Sequence, residues 1–396
     1  GGLYMKKTVK DLNIDNKKVI IRCDFNVPIK EGVIKDDTRI VKSLPTIKYC
    51  LEHNAKIILM SHLGRVKTEE DKTKNDLSIV ATRLSELLEK HVTFVNSTRG
   101  EELEQAVANM NDGDIILMQN TRYEDLDGKK ESGCDMELAK YWASLGDIFI
   151  NDAFGTLHRA HASNVGISTY LPSCVGLLVE KELNALSYLF NPDRPFMIIL
   201  GGAKVSDKIG LIENLLPKCD KILIGGGMAF TFLKAEGYNI GNSLLDEESL
   251  DFCKKLLKEN EDKIILPVDV VCNDKYEDTK GSVKDITELT DSEMGLDIGP
   301  NTVNIFKNNL SNAKTVMWNG PLGVYEFKNY VKGTNDVLTY LTEINAKTVL
   351  GGGDIVAAAS SCNITDKLYH ISTGGGATLE YLEGKELPGL KNIPEK

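Results

Sequence analysis

The sequence predicts an α/β protein built from two doubly wound parallel-sheet domains, and three observations carry that expectation. Short β-branched runs recur along the chain and alternate with amphipathic stretches. The runs are almost wholly apolar rather than alternating, as strands covered on both faces must be. At 396 residues, the chain exceeds what one hydrophobic core ordinarily serves.

In the first half the strand runs are "KKVIIRCDF", "AKIILMSHL", "HVTFV", "DIILMQN" and "DIFINDAF". Helices are expected at "IVATRLSELLEK" and "MELAKYWASLG". The second half repeats the plan with "PFMIIL", "KILIGG", "KIILPVDVV", "TVMWNG", "KTVLGG" and "LYHIST", and with helices at "SLDFCKKLLKEN" and "NTVNIFKNNL". Between the halves, a periodic segment from about Cys174 to Phe190 reads as a helix stopped by Asn191 and Pro192. A first domain is therefore expected over 5–172, a joining helix or hinge over 173–190, and a second domain over 191–379. No low-complexity tract or Gly/Ser tether interrupts them. The expected architecture is two Rossmann-like domains joined by an interdomain helix, with a cleft between them.

Composition excludes several classes. Hydrophobic residues make up 42% and charged residues 27%, the balance of a globular protein. No apolar run approaches the ~18 to 20 residues that span a bilayer, and no signal-peptide core follows Met5. Gly1 to Tyr4, ahead of "MKK", read as a cloning scar. A net charge of −11 argues against nucleic acid or an anionic membrane as the main partner. The eight cysteines never form a C-x-x-C pair, so reduced thiols are expected rather than a thiolate metal site.

The arginines are unevenly spread. All eight lie in the first 194 residues, seven of them by position 159. Arginine forks onto carboxylates and phosphates, so this bias points to a small anion bound in the first half. In open parallel sheets, ligands bind beyond the carboxyl ends of the strands. There the first half carries Asp24 and Asn26, His62 and Arg65, Arg122, and then His158, Arg159 and His161; Arg39 stands at the start of an expected helix. One arginine alone is a solvated surface charge. Four strands sending polar or cationic groups to one rim describe a small-anion site.

The second half carries glycine at the same edge. "LGGAK", "IGGGMAF", "LGGGDIVAAAS" and "STGGGATLE" each place a glycine run between a strand and a helix. Glycine lets backbone approach a ligand closely, and the following helix start offers unpaired N–H groups to an anion. Four such runs on one edge fit a nucleotide. No run matches the P-loop pattern, and none matches G-x-G-x-x-G with its ribose-reading acid ~20 residues on, which weighs against a dinucleotide. Asp354, after "GGG", is expected to cap a helix or to hold Mg²⁺ beside a polyphosphate, directly or through water.

These strings, together with "DDTRI", "SHLGR", "NDAFGTLHRAHAS", "GGAKVSDKI", "GLDIGP", "WNGPLGVYE" and "YLEGKELPG", occur in order and at the spacing of one family. Over essentially its whole length the chain resembles phosphoglycerate kinase. The resemblance implies reversible phosphoryl transfer between 1,3-bisphosphoglycerate plus ADP and 3-phosphoglycerate plus ATP, with Mg²⁺, by a cytoplasmic monomer of glycolysis. It implies a phosphoglycerate site of Asp24, Asn26, Arg39, His62, Arg65, Arg122 and Arg159. The implied nucleotide site is Gly202, Lys204, Lys208, Gly226, Gly295, Asn319, Pro321, Glu326, Gly351, Gly352, Gly353, Asp354 and Ile355. The implied catalytic set is Arg39, Lys204, Gly353 and Gly376. It also implies that the tail, about 380–396, packs on the first domain. Three positions depart from the family pattern: Cys23 replaces a valine, "MQNTRY" replaces "ENLRF", and Ile355 replaces a serine or threonine.

The implied chemistry suits the residues. A carboxylate acceptor with a pKa near ~4 is already ionised at neutral pH, so no general base is needed. His62, His158 and His161 are accordingly expected to bind or pack rather than to move protons. What remains is to align two anions and to neutralise the moving phosphoryl group. Arg39 from the first domain and Lys204 from the second are the expected charge clamp. A nicotinamide-dependent oxidoreductase lacks its fingerprint here, and a catalytically silent scaffold would have lost the rim charges that this chain keeps.

Overall fold

The computed structural model describes residues 5–396; Gly1 to Tyr4, and with them the expected cloning scar, lie outside the described residues. The chain divides into two compact units. One comprises the residues up to Asn184 together with Glu386–Lys396, and the other comprises Ala185–Lys385.

The first unit contains β1 (Lys18–Arg22), β2 (Ile29–Lys30), β3 (Val33–Ile34), β4 (Lys56–Met60), β5 (Thr93–Val95), β6 (Ile115–Met118), β7 (Ile148–Asn151) and β8 (Ser173–Val175). Its six-stranded sheet runs β5-β6-β4-β1-β7-β8, parallel throughout. Ile20 of β1 sits between Ile58 of β4 and Phe149 of β7. Because side chains alternate across a strand, each apolar run feeds two cores. Ile21, Leu59 and Leu117 pack with Ile40, Ile47 and Leu84 on one face, while Ile20, Ile58 and Phe149 pack with Leu138 and Trp142 on the other. Each such buried side chain contributes about 1.5–3 kcal/mol. The sequence reading missed the β2–β3 hairpin, which turns at Glu31 and Gly32.

The joining helix is shorter than the sequence suggested. It spans Leu177–Tyr188, because Ser173–Val175 pair as β8 on the sheet edge. Its first turn is capped by other elements: Leu177 N–H donates to Thr46 Oγ1 (2.9 Å), and Leu178 N–H donates to Asp152 Oδ1 (3.0 Å). Burial pushes the Asp152 carboxyl up to about 7. The tail joins the first unit at Glu386 rather than near 380. The preceding helix, Gly376–Leu382, is held within the second unit, where Asn214 Nδ2 donates to Leu382 O (2.7 Å).

The second unit contains β9 (Phe196–Leu200), β10 (Lys221–Ile224), β11 (Ile264–Ile265), β12 (Asp269–Asn273), β13 (Ser282–Asp285), β14 (Met294–Ile298), β15 (Thr315–Asn319), β16 (Lys347–Gly351) and β17 (His370–Ser372). The parallel sheet runs β11-β10-β9-β15-β16-β17. An antiparallel sheet, β13-β12-β14, was not foreseen. The run "KIILPVDVV" is two strands in two sheets, broken at Pro267, which lacks the N–H a continuous ladder needs. β13 was missed because it is mostly exposed and carries little apolar signal.

Candidate functional site

The arginine rim occupies the carboxyl ends of four neighbouring strands, β6, β4, β1 and β7. Asp24 and Asn26 follow β1, His62 and Arg65 follow β4, Arg122 lies in the turn Thr121–Asp125 after β6, and Arg159 follows β7. Arg39 stands in the first turn of the helix Thr38–Glu52. Its guanidinium donates to Asn26 O (2.7 Å) and lies 3.6 Å from Asp24 Oδ1. Asn26 in turn accepts from Gly64 N–H (2.8 Å), which ties the loop after β1 to the loop after β4.

Two hollows open on this rim. Arg65, Arg122 and Arg159 share one of about 970 Å³ with Lys67, Lys129 and Ser132, while Asn26 and Arg39 line another of about 360 Å³ with Asp36 and Thr38. Lys67, Lys129 and Ser132 were missed by the sequence reading, since isolated surface lysines and serines give no signal. Buried Asn120 explains how "MQNTRY" serves here: its Nδ2 donates to Leu63 O (2.7 Å) and its Oδ1 accepts from Leu63 N–H and Arg122 N–H. Cys23 is fully buried in the core, so its departure from the family pattern does not touch the rim.

Two histidines behind the rim are held neutral. Burial, reinforced by Arg22 and Arg122, pushes His62 well below the usual imidazole range and His161 down to about 3. In the unfolded chain both titrate near ~6.5, so on acidification the unfolded state takes up protons first. Their contribution to stability is complete above that pH and is lost as pH falls toward about 3. Between roughly pH 6.5 and 5, acidification is therefore expected to cost His161→Gln less stability than the wild type, read as the difference between their melting-temperature profiles; identical slopes would remove His161 as a source. Burial acts the other way on Asp152 and on Asp297, raised to about 7 and about 8: their stabilising contribution is full below the ordinary carboxylate range near ~4 and is lost as pH rises from there to those values.

The glycine rim gathers at the carboxyl ends of β9, β10, β15, β16 and β17. Gly202, Gly226, Gly295, Pro321, Glu326 and Asp354 line one cavity of about 440 Å³. Its remaining walls are largely apolar, including Phe230, Leu244, Leu296 and Val324. Lys204, Lys208, Asn319, Gly351, Gly352, Gly353, Ile355 and Gly376 do not line that cavity. Lys208 Nζ donates to Asn319 Oδ1, and Asn319 Nδ2 donates to Gly351 O (2.6 Å), joining the loops after β9, β15 and β16. Burial lowers the Lys208 ammonium, opposed by Asp207 and Asp354. Lys204 is exposed.

Gly353 and Gly376 open the helices Gly353–Ser361 and Gly376–Leu382. The first intrahelical backbone bond of the former is Val356 N–H to Gly352 O (3.2 Å), which leaves the N–H groups of Gly353, Asp354 and Ile355 outside the ladder. The Ile355 side chain is fully buried in the core, so only its backbone can face a ligand; this explains why an apolar residue is accommodated there. Gly226, with φ +67°, packs so closely that a Cβ would lie 2.7 Å from both Gly202 N and Pro321 O. Among the described residues there is no group of three His, Cys, Asp or Glu that could hold a metal ion.

Two parallel-sheet units, one rimmed by arginine and the other by glycine-headed helices, define a phosphotransferase acting on a small anion. The sequence pattern described as phosphoglycerate kinase matches residues 9–385. Curated relatives with that name include those of Enterococcus faecalis, 58% identical over 395 residues, and Fusobacterium nucleatum, 58% identical over 398; each alignment covers 99% of this chain and 100% of the relative. The solved structure of phosphoglycerate kinase from Coxiella burnetii matches with a TM-score of 0.90 at 41% identity, covering 98% of each chain. That from Pyrococcus horikoshii OT3 matches at 0.82 and 30%, with the same coverage. The chain belongs to the phosphoglycerate kinase family, and its activity is phosphoglycerate kinase activity in glycolysis, EC 2.7.2.3. Among the described residues, no helix is long and apolar enough to cross a membrane.

Proposed function

We propose that the arginine rim of the first unit binds phosphoglycerate, that the glycine rim of the second binds Mg²⁺ with ATP or ADP, and that the phosphoryl group passes directly and in line between them. The segregation of the two rims, one to each unit, carries this reading. Arg65, Arg122 and Arg159 share a hollow and suit the phosphate of the triose acid; Asp24, Asn26 and His62 suit its hydroxyl and carboxylate. Arg39 and Lys204 neutralise the moving phosphoryl group, aided by the free N–H groups at Gly353 and Gly376. Asp354, exposed beside Lys208, suits a metal delivered by the nucleotide, directly or through water. The metal would screen the phosphate charges. The acceptor carboxylate needs no base, so the chain's own residues supply orientation and fixed charge.

Sites carried on separate units require closure, which excludes water and suppresses ATP hydrolysis. The helix Leu177–Tyr188 acts as the hinge region, and the protein works as a cytoplasmic monomer. Small-angle scattering is expected to show compaction when 3-phosphoglycerate and Mg·nucleotide are both present; an unchanged radius of gyration would contradict the hinge. Arg159→Ala is expected to raise KM for phosphoglycerate about 10-fold or more, with kcat and nucleotide KM little changed, as loss of one charged hydrogen bond dictates. A rise confined to nucleotide KM would overturn the placement of the substrates.

A further inference from the structure

Arg22 ends β1 and is 0% exposed, although it is the only charged residue in the strand's buried part. Each of its three nitrogens has a partner: Nε donates to Ser163 Oγ (3.0 Å), Nη1 donates to Cys23 O, and Nη2 meets His62 Nδ1 at 2.9 Å. Ser163 Oγ passes the contact on to buried Glu131 Oε2 (2.7 Å), and Ser163 N–H donates to Glu131 Oε1 (2.9 Å), so the buried cation has a counter-charge one residue away. Of these groups, only His62 was singled out as functional from the sequence.

The chemistry of the His62 contact has one solution. A guanidinium has five N–H donors and no acceptor, so Nδ1 of His62 must accept. The neutral ring then carries its proton on Nε2, and an imidazolium is excluded because both its nitrogens would donate. Nε2 makes no hydrogen bond among the described residues and is the ring's open position. We propose that Arg22, braced by Ser163 and Glu131, is a positioning residue that fixes His62 as a neutral Nε2–H donor toward an oxygen of the triose acid. This rests on the placement of phosphoglycerate against the arginine rim. Arg122, Arg39 and His161 also face the ring and, with Arg22, disfavour a second proton on it.

The consequence is a pH-independent donor. A histidine left to titrate would offer a lone pair to an anionic oxygen over part of the range between pH 5.5 and 8; this one does not. Arg22→Gln places an amide beside Nδ1 that can accept as well as donate, so the ring can invert its tautomer or become protonated. Arg22→Lys keeps a donor-only cation and is expected to preserve the tautomer.

Nitrogen-15 NMR of the histidine side chains in the full-length wild-type protein tests this directly. The expected spectrum shows His62 protonated at Nε2 and bare at Nδ1 throughout pH 5.5–8. A proton on Nδ1, or titration of the ring in that window, overturns the proposal without touching the substrate placement. Addition of 3-phosphoglycerate is expected to shift the Nε2 resonance; an unmoved resonance overturns the placement on which the proposal rests. In kinetics, Arg22→Gln is expected to raise KM for phosphoglycerate about 10-fold at pH 8 and less at pH 5.5, the scale of one charged hydrogen bond. Arg22→Lys should follow the wild-type pH profile. Equal KM and equal profiles in all three proteins would overturn the positioning role.

Discussion

Arg39→Ala is expected to lower kcat by about 10²-fold or more, the scale of removing one preorganised partner of transition-state charge. The side chain is 40% exposed, yet it is not loose. Asn26 O and the Asp24 carboxylate hold Nη1 of the guanidinium, and the residue lines the 360 Å³ hollow. Preorganisation of this kind costs no rearrangement when charge moves, which is why the loss should fall on kcat more than on KM. Stability should hardly change, because a half-exposed ion pair contributes about 0–1 kcal/mol. Arg39→Lys should recover only part of the activity, since a point charge cannot keep both Asn26 and a phosphoryl oxygen. Steady-state kinetics in both directions check this; near-wild-type turnover in Arg39→Ala would remove Arg39 from the charge clamp.

Gly201→Ala should be nearly as damaging, through packing rather than charge. A Cβ there would lie 1.9 Å from Pro321 O and 2.7 Å from Gly320 O. These are backbone atoms, so no side chain can swing aside and the loop after β15 must move. That loop is registered by two bonds, Gly201 N–H to Asn319 O (2.9 Å) and Gly202 N–H to Pro321 O (3.0 Å), and it supplies Pro321 and Glu326 to the cavity on the glycine rim. Overpacking of this kind costs about 1–3 kcal/mol, and the displaced loop should raise nucleotide KM at least about 10-fold. Gly353→Ala is the contrast in thermal melts, for a Cβ there meets nothing within 4 Å and stability should hold. Equal melting temperatures for wild type and Gly201→Ala would show that the close approach is not required.

Much of this was legible in the sequence because parallel strands buried on both faces announce themselves as apolar runs. The residues that follow them fall at one sheet edge by topology alone. Arg65, Arg122 and Arg159 were placed on one rim from that rule, and they share a hollow. The antiparallel sheet was not legible, because β13 is exposed and β12 was hidden behind Pro267 in a run that reads as one strand. The strand within "LPSCVG" was absorbed into the helix that follows, since three residues carry too little periodicity to separate the two. Arg22 stands out in the sequence only as one letter of the strand run "KKVIIRCDF". Its commitment to His62 depends on groups 40 and 141 residues away, which no local pattern reports.

Hydrogen-exchange mass spectrometry with each ligand alone asks most directly where the two reactants sit. Saturating 3-phosphoglycerate should protect peptides carrying Asp24 to Arg39, His62 to Arg65, Arg122 and Arg159, and leave the glycine loops unchanged. Mg·ADP should protect those carrying Gly202 to Lys208, Asn319 to Glu326 and Gly351 to Ile355, and leave the arginine rim unchanged. Protection of the glycine loops by 3-phosphoglycerate, or of a single unit by both ligands, would contradict the division of labour between the two units.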